Sequence, residues 1–555
     1  IKDDEYFREF DKINDLKWII ESEIFLKVKR IQEFSQKHKI NLNDRSIIFI
    51  RYFLYNIASM VYLESRGRDS LGISINFVSK KPFFFKSKIN NKNNINIFNK
   101  KIAKKNFLNI SIKFSKRIGT SGENTVNILT LLKKVKIKEI DFKNLDFFEI
   151  FSHTRWASVG DVSNSNAHPL ISVKKNDLNL CLMNGDINNY QEIKKKLIKE
   201  KKYYYVDRLC KNDLQPVPSL FQINKNNINK LSNGSYVLFN FNSSNFNEFY
   251  IYKKGSQGLY YTLDEDNNLH FSSDVYGLIN KSDKFKILKE DGIFKVDHNF
   301  KKNIKTSSFT KTDLLTFDIS LKGKDTFFLK EVNDTNTFLK RTIAEYIDFK
   351  KRKIIGFHNL FNTKVRDKLK NKKIRNIIFT GMGSCYTAAV GISKYLNSKM
   401  NEYGYNNLKV EATIASEGSG FYLSTNMEDT IIVVIAQSGT TIDTNVFAKM
   451  AKERGAYTLA IVNKKQGDVT YIVDQSFYLG NGRDIEMSVP STKTYTCHLI
   501  TGFFNSMDGL LASIIFTKII NKNPELISNI LNKNINYKKI IFGILPNNVN
   551  KIMRH

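Results

Sequence analysis

Three short segments in the second half of the chain set glycines beside hydroxyls and amides, where an anion could be held. Gln437-Ser438-Gly439-Thr440-Thr441-Ile442-Asp443-Thr444 follows the apolar run IIVVIA (431–436) and leads into a helical pattern over about 442–454. A glycine lets backbone approach an anion closely, and hydroxyls and amides supply donors at the positive end of the following helix. The loop carries no Lys or Arg, so it suits one phosphate monoester better than a triphosphate. The plainer alternative is a helix cap, because Ser and Thr are ordinary N-cap residues. Gly381-Met382-Gly383-Ser384-Cys385 stands at a second strand-to-helix turn, and Ser488-Val489-Pro490-Ser491-Thr492-Lys493 adds hydroxyls before the last helix. A dinucleotide fingerprint needs a third glycine and an acidic residue ending the next strand, and both are missing. No Walker A sequence occurs.

The first half carries a different set: Glu64-Ser65-Arg66-Gly67-Arg68-Asp69-Ser70, His153-Thr154-Arg155-Trp156-Ala157-Ser158, Asn166-Ala167-His168-Pro169 and Asn184-Gly185. Taken alone, Arg155-Trp156 reads as a surface pair or a stacked cation–π contact. Asn-Gly is a hairpin signal, but DINNYQEIKKKL follows it and reads as helix. His168 fits a satisfied core histidine as well as a functional one. Cys181, Cys210, Cys385 and Cys497 are widely separated with no C-x-x-C spacing, which disfavours a disulfide framework or zinc site and favours a reducing, cytoplasmic setting.

The elements around these residues fall into two textures. From Asp141 to about Lys295, short alternating runs such as SYVLFNF (235–241) and EFYIYKK (248–254) predict antiparallel strands in an α+β domain. From Ile374 to Lys518 the pattern is β-α-β, with strands at 374–380, 408–414, 431–436 and 458–463. The run at 431–436 suits a central parallel strand buried on both faces. Together they predict a doubly wound parallel sheet with ligands at the carboxyl ends of its strands. Residues 1–45 read as polar helix, 82–117 as a Lys/Asn-rich insertion without clear periodicity, and 296–370 as a partly helical connector. The longest apolar stretch, 46–63, is interrupted by Arg51 and Asn56 and reads as a buried helix, not a membrane span.

At 555 residues, 41% hydrophobic and 25% charged, the chain is a multidomain globular protein. Lys+Arg 87 against Asp+Glu 54 gives +33, an excess that ordinarily suggests nucleic acid. The basic residues form no stripe with interleaved aromatics. Lys, Asn and Ile crowd every stretch, as an A/T-rich codon bias would produce, so no nucleic-acid partner is expected. No secretory signal is visible at the N-terminus.

TGMGSCYTAA, AQSGTTIDT and SVPSTKTYT, in this order and spacing, resemble the sugar isomerase (SIS) domain of glutamine:fructose-6-phosphate aminotransferases. The family pattern is roughly C-G-T-S-Y, S-Q-S-G-E-T-x-D-T and V-A-S-T-K. The upstream segments around Arg66, Arg155, His168 and Asn184 resemble the glutaminase domain of the same family. The resemblance implies an N-terminal-nucleophile (Ntn-like) α+β glutaminase-type domain at 46–295, followed by an α/β SIS domain at 371–525. It also implies that Gly383, Ser384, Cys385, Gln437, Ser438, Gly439, Thr441, Val489 and Ser491 hold a sugar phosphate. Cys385 and Ala436 stand where the family has Ser. Arg155, Trp156, Ser158 and Asp213 would bind glutamine, and Asn184 and Gly185 would form the oxyanion hole.

The family's nucleophile is an N-terminal Cys roughly two dozen residues before the Arg66-Gly67 match, and none stands there. The expectation is therefore a piece of a longer protein, with the Cys upstream and 1–45 a helical insertion or extension. Residues 526–555 would then be a linker towards a second SIS domain. The function implied is transfer of nitrogen from glutamine to a keto-sugar phosphate such as fructose 6-phosphate, giving an amino sugar phosphate. The alternative is a non-catalytic sugar-phosphate-binding protein with a degenerate glutaminase domain. No metal or cofactor is expected. A homodimer through the SIS domain is expected, with no membrane partner.

Overall fold

A computed structural model describes residues 12–504, apart from 66, 91–92, 117–121, 175, 204–209, 256, 349–352, 355–362, 372, 403–407, 466, 481–482, 484 and 488–492. Helices α1 (Leu26–His38) and α2 (Asp44–Glu64) precede the first sheet, formed by β1 (Ser70–Ser79), β2 (Ile95–Ile102), β3 (Lys105–Ser115) and β4 (Leu145–Arg155). Its order is β2-β3-β1-β4, antiparallel throughout. α2 begins with a capping box in which Asn43 and Ser46 satisfy each other's backbone amides. It is long and apolar enough to cross a membrane. Instead, its Phe49, Phe53, Ile57 and Met60 pack on Leu71, Ile73, Ile75 and Phe77 of β1, together with α3 (Glu123–Leu132).

The segment expected as an insertion supplies β2 and β3, and β3 is an interior strand of that sheet. Leu108, Ile110 and Ile112 alternate with Asn109, Ser111 and Lys113, and both sets are buried. The polar set lies on the face turned to a second sheet. There Asn109 donates to Ser74 Oγ and Asn76 Oδ1, each at 2.7 Å, and Asn76 donates to Glu149 at 3.1 Å.

The second sheet holds β5 (Leu170–Lys174), β6 (Asp177–Ile187), β7 (Gly234–Asn242), β8 (Phe249–Lys254) and β9 (Gly292–Val296), in the order β9-β8-β7-β6-β5. Val78, Phe107 and Phe151 of the first sheet share an apolar cluster with Leu180 and Phe241 of the second, so the sheets pack face to face. Helices α4 (Tyr190–Lys199) and α5 (Val217–Asn224) cover the outer face of the second sheet. The layering is helix, sheet, sheet, helix. Asn184-Gly185 lies inside β6, in register with Val237 and Tyr236, and the helix starts only at Tyr190.

In the second half, α6 (Phe327–Tyr346) leads to β10 (Asn376–Gly381), α7 (Ser384–Glu402), β11 (Lys409–Ile414), β12 (Thr430–Ala436), α8 (Ile442–Glu453), β13 (Tyr457–Val462), β14 (Gln475–Tyr478) and α9 (Lys493–Phe504). The sheet is wholly parallel, in the order β11-β10-β12-β13-β14. Ile431, Val433 and Ile435 of β12 face α6, α7 and α9, while Ile432, Val434 and Ala436 face α8. The strand is therefore apolar on both faces, as a doubly wound sheet requires. The connector is no free linker, because Phe338 of α6 is part of this core.

Candidate functional site

Chain order reverses between β10 and β12, so the loops leaving these neighbouring strands run to opposite faces of the sheet. Such a switch point, at the carboxyl ends of neighbouring strands, is the place where open α/β sheets bind ligands. The loops are Gly381–Ser384 and Gln437–Thr441, two of the three segments singled out from the sequence. Cys385 joins them. Burial pushes its thiol up to about 12, opposed by the backbone amide of Gln437.

The shape of the second loop depends on Gly439. Its φ is +67°, and a Cβ there would lie 2.9 Å from Gly467 Cα. Val469 N donates to Gly439 O at 2.8 Å, and Asn445 Nδ2 to the same carbonyl at 3.3 Å. Ser438 Oγ accepts from Thr440 N at 3.2 Å and lies 2.9 Å from Thr440 Oγ1. Thr441 is the N-cap of α8, yet its side chain makes no capping bond. A plain cap would engage that hydroxyl with the helix amides. Here Thr441 is exposed and its hydroxyl leaves the first-turn amides uncapped, at the positive end of a 12-residue helix. Gln437 behaves differently, since its Nε2 donates to Glu486 O at 2.6 Å. Ser384 opens α7 after Gly383, whose φ is +55°. Ala436 is buried among Phe447 and Ala448 and offers no donor. Val489 and Ser491 lie outside the described residues, as does Arg66.

Sequence reasoning missed two supports of this loop. His498 on α9 is buried at 3.1 Å from Ala436 O. Burial pushes its imidazole down to about 4, opposed by the Ala436 carbonyl, so it is neutral. Lys464 donates its backbone N–H to Gln437 O at 3.3 Å.

The second cluster lies where β4 of one sheet and β6 of the other end side by side. Arg155, the last residue of β4, is buried and donates to the carbonyls of Val159 and Asp161. Burial lowers its pKa, opposed first by the Asp213 carboxylate. Asp213 accepts from Ile187 N at 2.8 Å. Burial raises its carboxyl to about 6, opposed by that amide. Ser158 Oγ donates to Asp186 Oδ1 at 2.7 Å, and Asp69 Oδ2 accepts from Ala157 N at 2.7 Å. Asn184 is exposed and donates to Gln257 Oε1 at 3.0 Å.

Gly185 has φ +102°, and a Cβ there would sit 2.1 Å from Ser235 O. The structure thus gathers Arg155, Ser158, Asn184, Gly185 and Asp213, and adds Asp69, Asp186 and Gln257. Asp69 was visible within its motif, but only the fold shows what it holds. Trp156 is 57% exposed and makes no aromatic contact among the described residues. His168 is a core histidine: buried, 3.2 Å from Asn212 Nδ2, and held neutral by burial.

Cys181 does not belong to the cluster. It is buried under α4 and α5 between Asn179 and Asn240, with its thiol raised to about 12 by burial. Cys210 is also buried, its Sγ donating to Asn212 Oδ1 at 3.3 Å.

Residues 145–316 match the glutamine amidotransferase domain family, and residues 368–502 match the SIS domain family. Among curated relatives, glutamine--fructose-6-phosphate aminotransferase [isomerizing] of Methanococcus maripaludis is 25% identical over 478 residues, covering 78% of this chain and 73% of that protein. The Pyrococcus horikoshii protein of the same name is 27% identical over 454 residues, covering 77% and 72%. Among solved structures, the C-terminal domain of glucosamine-fructose-6-phosphate aminotransferase from Francisella tularensis is 20% identical over 38% of this chain and 56% of its own, with a TM-score of 0.30. Two domain families in one order, and relatives of one name that span both, support the place of this chain in the glutamine–fructose-6-phosphate aminotransferase family.

Proposed function

We propose that the chain holds glutamine in its first half and a keto-sugar phosphate in its second, as part of a glutamine-dependent amidotransferase. The reaction takes the side-chain amide nitrogen of glutamine to fructose 6-phosphate, leaving glutamate and an amino sugar phosphate. The observation that carries this reading is the loop at Gln437–Thr441: hydroxyls and amides at a switch point, next to a helix start that they do not cap. The four-layered packing of the first half supports an Ntn-type glutaminase fold.

On that reading, Arg155 meets the glutamine carboxylate and Asp213 its amine. Asn184 and Gly185 stabilise charge developing on the amide oxygen. Ser384, Ser438 and Thr441 donate to the phosphate. All four cysteines are buried, so binding is the property to test on these residues. Self-association through the parallel-sheet half belongs to the same reading.

Calorimetry with fructose 6-phosphate, glucosamine 6-phosphate and the unphosphorylated sugars gives the test. Both phosphates should bind, and the free sugars should bind at least tenfold more weakly, since hydrogen bonds to a charged group contribute roughly 1.5–3 kcal/mol each. Equal affinity for phosphorylated and free sugars would overturn the assignment.

A further inference from the structure

The two halves meet in one apolar cluster, to which Tyr260, Val275 and Tyr276 come from the first and Ile485 and Met487 from the second. Inside this contact, Lys464 Nζ and Asp274 Oδ2 form an ion pair at 2.7 Å, with the two side chains only 1% and 6% exposed. A pair this dry seldom recovers its desolvation cost as stability, and its best-attested use is to fix register.

Both partners are held by their surroundings. Asp274 Oδ1 accepts from Tyr276 N at 3.2 Å, and Lys464 Nζ stands 4.5 Å from the Tyr276 ring centroid. On the sugar-phosphate side, Lys464 opens the turn that floors the 437–441 loop. Its backbone bonds to Gln437 O, its carbonyl accepts from Gly467 N at 3.1 Å, and Gly467 lies directly under Gly439. On the other side, Gly277 O accepts from Ser59 Oγ of α2 at 2.9 Å. The carbonyl of Leu63, also on α2, accepts from Thr154 Oγ1 at 3.4 Å, next to Arg155. A continuous set of contacts therefore joins the two candidate sites, with the ion pair at its middle.

We infer that Lys464 is a positioning residue. Its pair with Asp274 sets the shape of the 437–441 loop from the opposite half, so sugar-phosphate affinity depends on a carboxylate that never touches the ligand. This rests on the sugar-phosphate reading of that loop.

The test uses the full chain and two readouts: fructose 6-phosphate affinity by calorimetry, and hydrogen exchange of the 437–441 amides without ligand. Asp274→Asn removes the ion-pair partner of the buried ammonium, leaving it only the neighbouring Asp468, and should lower both Tm and affinity, the latter by roughly tenfold. The double variant Asp274→Leu with Lys464→Met removes both charges. It should recover Tm but not affinity, and exchange at 437–441 should stay faster than in the parent. Asp274→Glu, which keeps the charge, should restore affinity to within about threefold of the parent and covers the case in which the Asn variant does not fold. Parent-like affinity in the double variant, or unchanged exchange at 437–441, would overturn the inference. A parent chain that binds no sugar phosphate would instead sink the functional reading, while the exchange result would still judge the role of Lys464.

Discussion

The two candidate sites differ in what their polar groups do before any ligand arrives. At the parallel sheet, Thr441 is exposed and makes no capping bond to the first turn of α8, and the scaffold behind it is packed with apolar contacts. At the antiparallel site, the charged groups already hold their own loops: Arg155 is bonded to Val159 and Asp161 carbonyls, and Asp213 to the Ile187 amide. On the proposed reading, the first is preformed for its ligand. On the same reading, the second has to share or exchange hydrogen bonds with its ligand, so its affinity should be more sensitive to protonation and to backbone change.

The severest way to break this contrast is Gly185→Ala. The added Cβ would meet Ser235 O at 2.1 Å with the backbone at φ +102°. Strain of this kind costs several kcal/mol, about 3 or more. Thermal denaturation should show the first half destabilised, and titration should show glutamine binding lost. Unaltered glutamine affinity would mean that the oxyanion segment is misassigned.

Next in size are Ser438→Ala and Thr441→Ala. Each removes one donor to a charged phosphate and should weaken fructose 6-phosphate about ten- to a hundredfold. Thr470 makes a poor comparison site, because its hydroxyl donates to Gly467 O at 2.7 Å, under Gly439. Ser398→Ala, on the exposed far end of α7, should leave affinity unchanged. If all three variants bind like the parent, the loop is only a scaffold.

The smallest effect sharpens the contrast through pH. The Asp213 carboxyl is raised to about 6, mainly by burial. A raised carboxyl favours the protonated fold. Its contribution to stability is therefore fully present below the ordinary value of about 4 and is lost as pH rises through about 6. On the proposed reading glutamine binding runs the other way, because the amine would pair with the carboxylate. Affinity should fall roughly tenfold from pH 7 to pH 5, and Asp213→Asn should abolish that slope while lowering affinity throughout. A fall of the same slope in the Asn variant would remove Asp213 from the glutamine site.

Much of the second half was legible because its physics is local. An apolar run with no alternation marks a strand buried on both faces, and the loop after it names its own donors. The first half was harder for a reason visible in β3. Leu108, Ile110 and Ile112 do alternate with Asn109, Ser111 and Lys113, but both sets are buried. The polar set meets partners 33–35 residues away, so no window of sequence shows why it belongs inside. The apolar stretch at 46–63 does form a helix, α2, and its continuous apolar face packs on β1. Asp186 and Lys464 could not have been found by pattern: each gains its role from a residue on another element, Ser158 in one case and Asp274 in the other.

The polar layer between the two antiparallel sheets also bears on heat capacity. Exposing apolar surface on unfolding raises the heat capacity, whereas exposing amides and hydroxyls lowers it. Ser74, Asn76, Asn109 and Ser111 add little to that rise, while Val78 and Phe107 on the same face and both faces of the parallel sheet add to it. Residue for residue, the polar patch between the antiparallel sheets therefore contributes less to the curvature of stability with temperature than the parallel strand buried on both faces.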